Sequence, residues 1–256
     1  MKTESADQLL NDFVNRMIHS AGKNLESIIL FGSAAREASL NDAVDLNLFV
    51  TLKSSSPGNL KAIAPVVAWW TNEINQPAPQ IFAAGELRNS ADVFAIEFTD
   101  MQASHKILFG PDVVADLNIP MNLHRVQVEH ELRTTILKLR HLYLQSPGDT
   151  KLFSAALAKS LSSVKTLLRH ALITMNEPVP ATNAELFGRV AKLFSVSADA
   201  FANVLRLKTA ATPPADLDSV FGDYLAALET VTHALDEFLP KREWQRSARK
   251  SEMRNV

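Results

Sequence analysis

A glycine and a serine close an apolar run at Phe31-Gly32-Ser33, and an acidic residue, Asp45, stands at the opening of the next one. That combination suits phosphate chemistry. A Gly-Ser turn after a strand lets backbone N–H groups and a hydroxyl approach a phosphate closely. Carboxylates at the start of the following strand can hold magnesium beside that phosphate. A third carboxylate from a neighbouring strand can help hold metal or accept the proton of an attacking hydroxyl. Two ions held in this way stabilise the attacking and leaving oxygens of phosphoryl transfer. Asp45 is one carboxylate of such a set, and Glu97 the candidate third. Asp42 is the open position. In a regular strand, residues two apart share a face, so position 43 sits beside Asp45 and is occupied by Ala43, while Asp42 points away. A bulge at the start of the strand would turn Asp42 inward as a metal ligand; the other reading makes it a loop or capping residue.

The elements that must position these groups follow from periodicity. Leu9, Leu10, Phe13, Val14 and Met17 make a helical stripe. Ser27–Phe31 reads as a strand ending at Gly32. Val44–Thr51 reads as a second, with Val44, Leu46, Leu48 and Val50 on one face and Asp45, Asn47 and Phe49 on the other. Ser54–Gly58 is expected as a loop, and Pro65 as the first turn of a helix running to about Ile74. Gln80–Ala84 and Val93–Phe98 read as further strands, the latter with Phe94, Ile96 and Phe98 on one face and Glu97 on the other. Ile107–Phe109, closed by Gly110-Pro111, ends this half. Beyond residue 120 the spacing is helical throughout: Val128 to Tyr143, Phe153 to Leu172, Asn183–Phe194, Ala198–Leu207 and Leu217 to Leu235, with Pro213-Pro214 as a break. The expected organisation is an α+β domain over 1–120, a helical bundle over 121–240 and a basic C-terminal tail over 241–256, frayed at the end.

The stretch Phe31 to Val50, FGSAAREASLNDAVDLNLFV, resembles the signature of the polymerase-beta superfamily of nucleotidyltransferases. In that signature Gly-Ser is followed by Asp, an apolar residue and Asp. Gly32 and Ser33 match the phosphate-binding pair, Ala35-Arg36 the small-basic dipeptide, and Asp45 with Leu46 the second aspartate. Ala43 stands where the first is expected. Ile96 to Asp112, IEFTDMQASHKILFGPD, and Val128 to Arg140, VEHELRTTILKLR, are similar to segments of a bacterial group of nucleotidyltransferases of about this length. The resemblance implies a small nucleotidyltransferase-like mixed sheet with flanking helices, followed by an all-α bundle. It implies transfer of a nucleoside monophosphate from a nucleoside triphosphate, ATP by expectation, to an acceptor hydroxyl of a small molecule or protein. Gly32, Ser33 and Arg36 would bind the triphosphate. Asp45, Asp42 and Glu97 would hold Mg2+, with Asp45 and Glu97 the catalytic pair. Ala43 favours a second class: a catalytically inactive nucleotide-binding or regulatory, antitoxin-like protein of the same fold. A third reading makes the helical half a docking face for a partner.

Composition narrows the rest. The 256 residues carry a formal charge of −2, which favours a small-molecule or protein acceptor over a long nucleic acid. There are no cysteines, which excludes disulfides, thiolate zinc sites and a cysteine nucleophile. No apolar run is long enough to span a bilayer, and Met1 to Asn11 lacks the pattern of a signal peptide, so a cytoplasmic location is expected. Self-association is left open. His105 is read as a hydrogen-bonded structural histidine, with approach to the nucleotide as the alternative, and Asp100 as a cap. Trp69-Trp70 reads as helix packing. Arg125 and His130 have an Arg-x4-His spacing that diverges around a continuous helix. Arg133, Lys138 and Arg140 read as a solvated helix face.

Overall fold

Leu10, Phe13 and Met17 are all buried on one side of helix α1 (Ala6–Ala21), which Ser5 starts by accepting the Gln8 N–H while the Gln8 side chain returns to Ser5 N–H. The computed structural model describes residues 5–36, 45–210, 212, 214 and 216–238, and leaves the side chains of Ser33 and Arg36 undescribed. Asp42, Ala43, Pro213 and the 241–256 tail therefore lie outside the described residues. The chain divides into two units, 1–127 and 128–256.

Unit 1 is built on four strands: β1 (Leu25–Phe31), β2 (Asn47–Leu52), β3 (Gln80–Ala83) and β4 (His105–Phe109). Their order is β3-β2-β1-β4, with β1 antiparallel to β2 and to β4, and β2 parallel to β3. The alternation read from the sequence of β2 holds. Leu46, Leu48 and Val50 join a core with Leu10, Phe13 and Met17, whereas Phe49 joins a second core with Ile29, Phe98 and Met101. Both faces of the sheet are therefore covered, which is why Ile28–Phe31 of β1 reads as an unbroken apolar run.

Three expectations are corrected. Val93–Phe98 is not a strand: Ala95–Ala103 form helix α5, following helix α4 (Ala84–Ser90). Phe94, Ile96 and Phe98 match a period of two, but Ala91, Ala95, Phe98 and Met101, all buried, fall at steps of three and four, and that stripe packs on the sheet. Glu97 is thus a helix residue, and Asp100 lies within the same helix. Pro65 does not open its helix. Helix α3 (Pro57–Ala68) starts at Pro57 behind the Ser56 cap, so Pro65 lies inside it, on an exposed turn, and a π-helical turn, Trp69–Glu73, follows. Strand β2 begins at Asn47, three residues later than expected, so Asp45 precedes it.

A short helix, α2 (Ser33–Arg36), follows β1, with Ala34 and Ala35 buried beneath it. Trp69-Trp70 packs as read. Trp70 is fully buried with its indole N–H donating to Pro77 O at 3.0 Å, and Arg16 lies 4.1 Å over the Trp69 ring.

The unit boundary falls within α6 (Met121–Gln145), which continues into unit 2. There α7 (Thr150–Thr174), α8 (Asn183–Phe194), α9 (Asp199–Arg206) and α10 (Leu217–Glu237) surround a core of Leu157, Leu161, Leu168, Val190, Phe201 and Leu228. Tyr143 of α6 stacks on Phe221 of α10 at 4.9 Å. Arg133–Asp236 and Arg140–Glu229 join the same two helices at 3.2 and 2.7 Å; both pairs are half-exposed, so each contributes at most about 1 kcal/mol.

Candidate nucleotide site

The antiparallel register gathers three chain positions at one end of the sheet. Phe31, the last residue of β1, is the Cα partner of Asn47 at the start of β2 and of His105 at the start of β4. Gly32 comes next, with φ 80°. A side chain there would be strained, and its Cβ would stand 3.2 Å from Asn47 Nδ2. The bare glycine therefore leaves backbone accessible beside the opening of β2. Ser33 and Arg36 lie at the two ends of α2.

Asp45 is exposed, immediately before β2. Two hydrogen bonds fix its neighbourhood. The Leu46 N–H donates to Gln76 Oε1 at 2.8 Å, and Asn47 Nδ2–H donates to the Asp45 carbonyl at 3.4 Å. Glu97 lies half-buried in the first turn of α5, where its Oε2 accepts from Gln127 Nε2 at 3.2 Å; the same Gln127 accepts the Ile96 N–H at 3.0 Å. Gly32, Asp45 and the flank of α2 thus share one sheet end, while Glu97 is held by Gln127 at the start of its own helix. A cleft of about 1050 Å³ elsewhere in unit 1, lined by Glu26, Arg88, Asp112 and Asn118 among others, is lined by neither Gly32, Asp45 nor Glu97.

His105 is a hydrogen-bonded residue, as read. Its Nδ1 meets Met101 O at 2.7 Å and its Nε2 meets Asp112 Oδ2 at 2.9 Å. Both ring nitrogens face acceptors, an arrangement that a doubly protonated ring satisfies. Asp112 Oδ1 accepts from the Val114 and Ala115 N–H groups, each at 3.1 Å. Burial pushes the Asp112 carboxyl up, but the His105 hydrogen bond, the two backbone donors and the His105 charge together hold it below the usual carboxylate range. A lowered carboxylate stabilises the fold above its unfolded value, about 3.9, and that contribution is lost as pH falls through the lowered folded value. Asp112→Asn is therefore expected to cost about 1 kcal/mol at neutral pH and to flatten the acid limb of the stability–pH curve below about pH 4, measured by urea unfolding across pH.

Among the described residues, no group of three or more histidine, aspartate or glutamate side chains is placed to hold a metal ion. At the Gly32 end the described residues that open β2 bring one carboxylate, Asp45, and one carboxamide, Asn47, while the nearby Gln76 Oε1 is taken up by the Leu46 N–H. These do not make the two-carboxylate magnesium site of the resembled signature. Sequence reasoning placed Asn47 on the Asp45 face but gave it no role; its signal was the period of two. Gln76 and Gln127, which brace the backbone at Leu46 and Ile96, carried no signal in the sequence.

No family model matches the chain, and no characterised protein matches it by sequence. Among solved structures, it is similar to the spectinomycin adenyltransferase of Enterococcus faecalis, crystallised with ATP and spectinomycin. The TM-score is 0.54 at 14% identity, covering 91% of this chain and 100% of that one. The fold is that of a nucleotidyltransferase. In this chain that fold is a mixed four-stranded sheet with flanking helices, followed by a helical region. No helix among the described residues is long and apolar enough to cross a membrane.

Proposed function

We propose that this chain transfers a nucleoside monophosphate from ATP to a hydroxyl of a small-molecule or protein acceptor. The observation that carries the reading is the Gly32 turn, bare and at positive φ, with Asp45 and Asn47 opening β2 beside it in a nucleotidyltransferase fold. Backbone N–H groups after β1, with Ser33 and Arg36, would take the triphosphate. The acceptor oxygen then bonds to the α-phosphorus, the bond from that phosphorus to the β-bridging oxygen breaks, and pyrophosphate leaves. Glu97 is the carboxylate assigned to the hydroxyl proton. Magnesium enters as part of the substrate, on the triphosphate, because one carboxylate and one amide are a weak anchor for a resident ion. The neighbour's ATP and its small hydroxylated acceptor support this substrate pairing.

The test is calorimetric titration of ATP with and without Mg2+, followed by pyrophosphate release in the presence of hydroxylated acceptors. Gly32→Val adds a branched side chain at positive φ against Asn47, and it is expected to weaken ATP binding about tenfold or more. A native chain that does not bind ATP defeats the reading. A second reading, a catalytically inactive nucleotide-binding protein, is favoured by the single carboxylate that the described residues bring to the Gly32 end. ATP binding without pyrophosphate release across an acceptor panel would select it.

A further inference from the structure

We infer that position 47 is the partner of Asp45 at the phosphate loop, so that the described residues there offer a divalent cation one carboxylate and one carboxamide. The inference deepens the proposed function and rests on that reading of the Gly32 turn. Sequence alone allows two placements of an acidic pair split by an apolar residue: 43 with 45 across Val44, or 45 with 47 across Leu46. The strand register places position 47 at the loop. Asn47 is the Cα partner of Phe31, and Gly32 is the next residue of β1's chain. Asn47 Nδ2 stands 3.2 Å from where a Cβ on Gly32 would be, so the side chain of position 47 is in contact distance of the loop itself. Leu46, Leu48 and Val50 are buried in the core beneath α1 and α3, which leaves the sheet side of 45 and 47 as the side of Phe31 and Phe49. The Gln76 bond to Leu46 N–H and the Asn47 bond to the Asp45 carbonyl fix these residues in that order.

An amide oxygen ligates a hard cation but brings no charge. Among the described residues the site accordingly carries one negative side chain where a pair would carry two. Restoring the second charge belongs at 47.

Mn2+ alone, without nucleotide, is the probe. Free Mn2+ is counted by electron paramagnetic resonance during titration of the native chain, Asn47→Asp and Ala43→Asp. Asn47→Asp is expected to bind Mn2+ about tenfold or more tightly than native, and Ala43→Asp to bind like native. A gain in Ala43→Asp equal to or above that in Asn47→Asp overturns the inference, as does no gain in either. Should Asn47→Asp fail to fold, the native chain decides. Mn2+ is expected to broaden the amide resonances of Gly32, Leu46 and Asn47, and Asp45→Asn to abolish the broadening; broadening centred elsewhere, or none, overturns the inference. ATP titration of the same samples separates the two claims. ATP binding without the Mn2+ pattern removes the role of position 47 alone, whereas absent ATP binding removes the proposed function itself.

Discussion

Gly110→Ala is expected to destabilise unit 1 by about 4 kcal/mol, a large part of the roughly 5–15 kcal/mol that holds a typical domain folded. Gly110 has φ 76° and lies directly after β4, and a Cβ there would come within 2.0 Å of Glu26 O and 3.1 Å of Ser27 Cα. The obstacle is backbone, so no side-chain rotation relieves it. The residue itself would pay about 1–2 kcal/mol for the left-handed conformation. The rest comes from displacing β1 against the end of β4, where buried Ser27 donates its hydroxyl to Phe109 O at 3.2 Å and to Pro111 O at 2.8 Å. One hydroxyl proton is shared between the two acceptors, so the interaction is worth about 1 kcal/mol in all. Ser27→Ala removes it without the clash and should cost about 1 kcal/mol, separating the two contributions. The check is the midpoint of urea unfolding followed by tryptophan fluorescence, since Trp69 and Trp70 both belong to unit 1. A midpoint for Gly110→Ala equal to that for Ser27→Ala would show that the chain relaxes around the methyl group.

The parts of the fold that were legible in the sequence are those where one period has no competitor. Leu46, Leu48 and Val50 alternate with Asp45, Asn47 and Phe49, and the sheet has a core on each side, so the alternation survives as a real division of faces. Asn183–Phe194 is legible from its helical spacing, and the structure adds a capping box of Thr182 and Glu185 at its start. Val93–Phe98 misled because every second residue is aromatic or aliphatic. Its true partners, Ala91 and Ala95, are small, and a small buried residue adds little to a hydrophobic pattern although it lets α5 sit close to Phe49. Pro65 misled for a different reason. A proline at a first turn and a proline inside an exposed helix look alike in sequence; the Ser56-Pro57 start, with Ser56 accepting the Asn59 N–H, was the stronger cap signal.

The candidate site was legible in its types and only partly in its geometry. Gly32 and Asp45 stand out because a strand ends at one and another opens just after the other. Which residue sits opposite Phe31 depends on the length and path of the connection between β1 and β2, and no local pattern encodes that. Asn47 was therefore invisible as a partner, and Glu97 was assigned to a strand when its carboxylate is oriented by Gln127 from a helix start. Asp112 likewise gains its role from His105, seven residues away in sequence, through a turn at Gly110-Pro111 that folds the chain back.

Asp45→Ala is expected to lower nucleotidyl transfer by about 10³-fold with the fold intact. The size of the effect follows from scarcity. Among the described residues, Asp45 is the carboxylate that opens β2 beside Gly32, and its nearest sheet neighbour of the same face, Asn47, is uncharged. Where two carboxylates share a load, removing one leaves a remnant; here the substitution removes the side-chain charge of the pair altogether. The substitution touches no core contact, because Asp45 is exposed and its hydrogen bond from Asn47 uses the backbone carbonyl that alanine retains. Stability should accordingly change by no more than about 0.5 kcal/mol, which allows the activity loss to be assigned to chemistry. The split between parameters carries the argument further. A group that acts mainly when charge develops on the transferring phosphoryl lowers kcat with little change in KM for ATP, whereas one that only holds the incoming magnesium salt raises KM. Steady-state pyrophosphate release at varied ATP distinguishes these. A variant with native kcat and KM would place the chemistry away from the Gly32 end of the sheet.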